Sequence, residues 1–196
     1  MFLVDTHCHL NKEYYPDGLS KVFENALKCD VRRLLFASAD LASTRVALAE
    51  KHEGMPEIWA LAGVHPHEAS SVSGGIPKEL EELAGSKKVS AVGEIGLDFY
   101  YDNSPRDIQR EVFRSQICLA KKLNKPVVIH VRDAADRSLG DANSETLAIL
   151  SEESAETVGG VIHCFSGDAQ NAMDALDLGF CISFAGPVTY PKNKAL

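Results

Sequence analysis

The chain has 196 residues, of which 45% are hydrophobic and 24% charged. That is ordinary globular usage, which excludes intrinsic disorder and supports one packed domain rather than two. Twenty basic against 28 acidic residues leave a net charge of −8, which argues against broad electrostatic capture of nucleic acid but allows a site whose positive charge comes from bound divalent cations.

In chain order, short apolar runs alternate with amphipathic stretches. The first run, Phe2–Thr6, lies in MFLVDTHCHL. That start has no basic region or small-residue cleavage site, and no run in the chain approaches the roughly 18 apolar residues of a membrane span. Neither a signal peptide nor a membrane segment is expected. Further strands are predicted at Arg33–Ser38, Ile58–Val64, Val89–Gly93, Pro126–His130, Gly160–His163 and Phe180–Phe184. Several are apolar on both faces, as in parallel sheets covered on both sides.

Between them, Leu19, Val22, Phe23, Ala26 and Leu27 recur at helical spacing. A short acidic helix is predicted from Pro77 to Gly85, its run Glu79–Glu82 a solvated face. A longer helix is predicted to open at Ser104–Pro105, with Ser104 as its cap, Asp107 at capping-box spacing and Ile108, Val112, Leu119 and Leu123 as its buried stripe. The polar stretch Asp133–Asn143 reads as a mobile insertion, and Asp168 is placed to cap a last helix that Gly179 ends. Seven strands with interposed helices predict a TIM (β/α)8-type barrel lacking its last strand and helices, since closed barrels need roughly 200 residues or more. The expected organisation is one C-terminally incomplete domain over residues 1–196.

Histidine is the informative residue. Asp5, His7 and His9 alternate at the end of the first strand, so all three can share one face. His65 and His67 repeat that spacing after the third strand. Glu94 follows the fourth, His130 closes the fifth in PVVIH, and His163 closes the sixth in GVIH. In a parallel barrel these strand ends share one face, where active sites sit. Imidazole plus carboxylate suits zinc, manganese or iron and tolerates magnesium. Glu94 is the candidate catalytic residue and bridge, because a carboxylate can hold two cations.

Other residues allow two readings. Asp5 either orients a ligating imidazole or makes a strand-end turn. His65 and His67 are either functional or rim residues beside Pro66. Arg132, on the strand face of His130, either holds a phosphate or pairs with Asp133 or Asp136. Tyr100 and Tyr101 either stack on a base or merely pack. Cys8 and Cys164 point away from the ligands and read as small core residues. The five cysteines Cys8, Cys29, Cys118, Cys164 and Cys181 form no CxxC pair, which suits a reducing, cytoplasmic setting rather than a disulfide framework.

DTHCHL, AGVHPH, VGEIGLDFY, PVVIHVR and GVIHCFSG, in this order, resemble the TatD family of metal-dependent deoxyribonucleases, a TIM-barrel branch of the metal-dependent hydrolases. The resemblance implies two divalent cations (Mg, Mn or Zn) and phosphodiester hydrolysis of DNA, of a 3'-5' exonuclease kind, in DNA degradation or repair. By motif, His7 and His9 would hold one cation and His130 and His163 the other, with Glu94 shared. His65 and Arg132 would lie on the substrate side. The family pattern also includes an aspartate in a Glu-Thr-Asp motif on the last strand, which these 196 residues do not contain. An unclosed barrel exposes strand edges, so self-association is expected. Two rival readings are another ester hydrolase, such as an aminoacyl-tRNA deacylase, and an inactive scaffold.

Overall fold

The computed structural model describes residues 1–50 and 54–191. Among these, seven parallel strands form one sheet in strict chain order: β1 (Leu3–Cys8), β2 (Val31–Phe36), β3 (Glu57–Ala62), β4 (Val89–Asp98), β5 (Val127–Arg132), β6 (Gly160–Ile162) and β7 (Cys181–Ile182). Helices α1 (Leu19–Lys28), α2 (Leu41–Ala49), α3 (Lys78–Ala84), α4 (Arg106–Leu123), α5 (Ala142–Glu152) and α6 (Ala169–Asp177) connect them. The sheet curls into most of a barrel and stays open between β1 and β7. The seam is a cleft of about 460 Å³, bordered by Leu3, Asp5, His7, His163, Ser183 and Phe184. Thr6 and Ser183 hydroxyls meet across it at 3.4 Å.

Strand alternation divides the core. Leu34, Phe36, Ala60 and Ala62 turn to one side with Phe23 of α1 and Leu80 of α3. The intervening Leu61, Ala91 and Val128 form a smaller cluster on the other side. Around β4 and β5 the core is larger, with Ile95, Leu97, Phe113, Ile117 and Ile129 among its members.

The predicted strands are all present, with bounds shifted by a residue or two at most ends, and two differ most in length. β4 runs five residues past Gly93, so Glu94 lies inside the strand rather than after it. Gly96 makes this extension feasible: at φ +143° a Cβ there would stand 2.0 Å from the His130 carbonyl oxygen, so only glycine fits. β7 is only two residues long. α3 begins after Pro77 and ends at Gly85, and Asp168 caps α6 by accepting the Asn171 N–H at 2.9 Å.

Two local expectations are corrected. Ser104 does not cap α4. Its hydroxyl accepts the Ser70 N–H at 3.0 Å and donates to the His67 carbonyl at 2.9 Å, tying down the loop after β3. The polar stretch expected to be mobile is pinned by Arg137, which pairs with Asp133 at 3.0 Å, Asp141 at 3.1 Å and Asp168 at 3.3 Å.

Candidate metal centre

α4 sets the positions of two strand ends. Gln109 and Gln116, seven residues apart and so on one helix face, are both 1% exposed. Gln109 accepts the Asp98 N–H at 2.8 Å and donates to its carbonyl at 3.1 Å. Gln116 does the same for Val64, at 2.7 and 3.0 Å. Each amide thus satisfies a backbone N–H and carbonyl at or just past a strand end, an uncompensated cost otherwise. The results are a fixed Val64, immediately before His65, and a fixed Asp98 at the end of β4.

Glu94 is central and only 4% exposed. Its N–H donates to the Ser38 carbonyl at 3.1 Å. The small residue before it lets β4 and β5 approach, because a Cβ on Gly93 would stand 2.8 Å from the Val128 Cβ. Four imidazoles surround the carboxylate. His130 Nδ1 lies 2.9 Å from Oε1, and His163 Nε2 contacts the same oxygen. His7 Nε2 is 3.3 Å from Oε2, and His65 Nε2 is 3.8 Å from Oε1. Two triads result, His7–Glu94–His163 and His65–Glu94–His130, each with its donor atoms within 4.8 Å of one another.

This grouping departs from the one implied by motif. His7 and His163 share a triad, their rings stacked at 4.0 Å. His65, expected on the substrate side, joins His130. His9, just past the end of β1, places its Nε2 3.1 Å from His7 Nε2. Asp5 accepts the His7 N–H at 3.1 Å. Arg132 makes neither of its expected contacts with an acid; its guanidinium lies over Tyr100 and Tyr101. Cys8 is half-buried and donates to the Leu35 carbonyl, and Cys164 is half-buried beside the seam.

Asp98 was not anticipated. It is 1% exposed, and its Oδ2 contacts both His67 Nε2 and His130 Nε2 at 3.0 Å. A signal was available: Glu94 and Asp98 are both acidic, four residues apart and adjoining an apolar strand.

Protonation follows from these contacts. Burial lowers His7 to about 3, with Glu94 opposing and the other imidazoles adding to the effect. His65 is likewise lowered to about 3 by burial and by His130. Both are therefore neutral, with lone pairs free to ligate, at ordinary pH. Burial alone would raise Glu94, but hydrogen bonds from His130 and His163 hold it well below the usual carboxylate range. Burial disfavours charge on His130, yet carboxylates on both its nitrogens outweigh this and raise it to about 9. A carboxylate ringed by imidazoles, His7 and His65 among them neutral, with the buried His7 Nδ1 lacking any hydrogen-bond partner, fits divalent cations of the Mg, Mn or Zn kind.

The family model "TatD related DNase" matches residues 4–196. This chain belongs to the TatD family. It is 42% identical over 192 residues to the uncharacterized metal-dependent hydrolase YabD of Bacillus subtilis, covering 98% of this chain and 72% of that protein. It is 39% identical to the metal-dependent hydrolase YcfH of Escherichia coli K12, covering 100% and 71%. The 3'-5' ssDNA/RNA exonuclease TatD of Pantoea ananatis is 32% identical, with 94% and 68% covered. Among solved structures, the TatD homologue YJJV of Escherichia coli matches with a TM-score of 0.76 at 27% identity, covering 97% of this chain and 71% of that one. The protein is thus a metal-dependent hydrolase of the TatD family, and its curled sheet is the TIM-barrel-like fold of its neighbours. No described helix is long and apolar enough to cross a membrane.

Proposed function

We propose that this TatD-family protein is a two-cation phosphodiesterase that removes nucleotides from DNA as a 3'-5' exonuclease, with a place in DNA degradation or repair. The observation that carries the reading is the position of Glu94, whose carboxylate belongs to both histidine triads. Bound there, two divalent cations would grip the scissile phosphate, lower the pKa of an attacking water and neutralise the leaving oxygen. Glu94 would join the two cations, His7 and His163 would complete one site with His9 beside it, and His65 and His130 the other. Asp98 would fix the ring of His130 from behind. Arg132 lies further along the same strand, on the substrate side.

Phosphodiester chemistry fits the charge balance, since a chain at −8 needs cations at the site to receive a polyanion. The Pantoea and Klebsiella relatives named as single-strand DNA/RNA exonucleases support the substrate class. Residues 1–196 would act as one hydrolase unit. The five free cysteines suit a cytoplasmic setting. Self-association would follow from the open seam, where Phe2, Leu3, Val4 and Phe184 are 44%, 54%, 42% and 55% exposed.

The test is nucleotide release from end-labelled single- and double-stranded DNA with Mg²⁺ or Mn²⁺, alongside aminoacyl-tRNA. Cation-dependent release from DNA, lost in His130→Ala, is the expected result. Hydrolysis of aminoacyl-tRNA alone would replace this reading with an esterase.

A further inference from the structure

Beyond the end of β4 the chain presents two tyrosines in succession. Asp98 Oδ1 accepts the N–H groups of Tyr100 and Tyr101 at 3.0 and 2.9 Å, which fixes the turn. Phe99 turns inward at 2% exposure, with the Arg106 guanidinium 4.5 Å from its ring centroid. The tyrosines stay outside, 48% and 54% exposed. They are therefore not packing residues of the core. Their rings meet edge to face at 4.9 Å. The Arg132 guanidinium lies over both, 4.2 Å from Tyr100 and 4.8 Å from Tyr101.

This cluster is coupled to the metal centre by direct contacts. Tyr101 is 5.4 Å from the His67 ring. His67 shares Asp98 Oδ2 with His130. On β5, Arg132 stands two residues beyond His130, about 6–7 Å along the same strand face. One carboxylate thus positions a candidate metal ligand with one oxygen and the aromatic turn with the other.

We propose that Tyr100, Tyr101 and Arg132 form a stacking platform for a nucleobase beside the scissile phosphodiester of single-stranded DNA. The proposal rests on the phosphodiesterase reading of the Glu94 site and adds the way its substrate is held. A net charge of −8 argues against holding a strand by a broad basic groove. Base stacking on aromatic and guanidinium planes needs no such groove, contributes about 1–3 kcal/mol per base and tolerates any sequence. Bases of an intact duplex are stacked on one another and paired, so the platform selects single strands and frayed ends. Arg132 adds one cation at most, so salt dependence should be shallow.

The experiment measures binding of phosphorothioate-linked DNA decamers to the full chain in Mn²⁺ by fluorescence anisotropy. One decamer carries natural bases throughout, and the other has abasic sites at its three 3'-terminal positions. The wild type should bind the base-bearing strand at least about tenfold more tightly. In the Tyr100→Leu/Tyr101→Leu double variant, checked for an unchanged thermal melt, the two affinities should converge. Arg132→Gln should flatten the slope of log K against log salt by about 0.7. Equal affinity of the wild type for both decamers, undiminished discrimination in the double variant, or no binding of either decamer would overturn the platform. Hydrolysis of bis(4-nitrophenyl) phosphate by the wild type is measured in parallel. That ester has no base, so its failure to react overturns the phosphodiesterase reading, while base discrimination is still decided by the binding data.

Discussion

β4 and β1 both deliver side chains to the same carboxylate-centred cluster, yet nine of the ten residues of β4 are buried while β1 begins with three exposed residues and buries none completely. β4 lies between two long neighbours and under α4, whose two glutamines hold the backbone at its far end and at the end of β3. β1 borders the open seam, paired on one side only, with β2. The centre of the sheet therefore carries the groups whose placement must be fixed, Glu94, Asp98 and His130. The rim adds imidazoles, His7, His9 and His163, around an already rigid anion. Catalytic sites need such preorganisation, and a strand covered on both faces supplies it more firmly than an edge strand can.

The contrast can be broken most severely at Gly96. Gly96→Ala forces a Cβ against the His130 carbonyl at a φ that side chains rarely adopt, and a loss of about 3 kcal/mol or more is expected by denaturant unfolding. A loss under about 1 kcal/mol would mean that β4 and β5 can separate without cost. Next in size, Ile129→Ala removes a fully buried side chain and should cost about 2–5 kcal/mol. Leu3→Ala on β1, where the side chain is half exposed, should stay within about 0.5 kcal/mol. Equal effects at the two positions would erase the distinction between centre and rim.

Gln109→Leu should fall between these, at about 1–3 kcal/mol, because it leaves the Asp98 N–H and carbonyl unpaired in a buried place. It should weaken Mn²⁺ binding as well, since Asp98 orients His130; unchanged metal affinity would show that the helix clamp does not reach the site. The smallest expected effect is at the seam. Val4→Lys should leave the melt nearly unchanged but lower the concentration dependence of the sedimentation coefficient. A wild-type chain that sediments as a monomer at every concentration would remove the self-association proposal.

Much of this was legible in the residues. Short apolar runs located all seven strands, and the strand-end histidines pointed to the cluster around Glu94, because period-two alternation fixes which side chains share a face. What escaped depends on long-range geometry. The extension of β4 past Gly93 requires a positive φ at Gly96, which the letters GEIGLD do not reveal. Gln109 and Gln116 carry no signal in the sequence, since the backbone that they clamp is distant along the chain. The pairing of His7 with His163 and of His65 with His130 follows from the curl of the sheet, which no spacing along the chain encodes. Ser104 had the chemistry of a helix cap, but the loop at Ser70 and His67 uses its hydroxyl instead.

The central claim is that one carboxylate unites two cation sites. It is tested most directly by counting Mn²⁺ ions bound per chain, by equilibrium dialysis with electron paramagnetic resonance of the free ion, in the wild type and in Glu94→Gln. The account predicts two ions per wild-type chain, magnetically coupled, and loss of both at the same free Mn²⁺ in the variant. A variant that keeps one ion at wild-type affinity, or a wild type that never binds more than one, would contradict it.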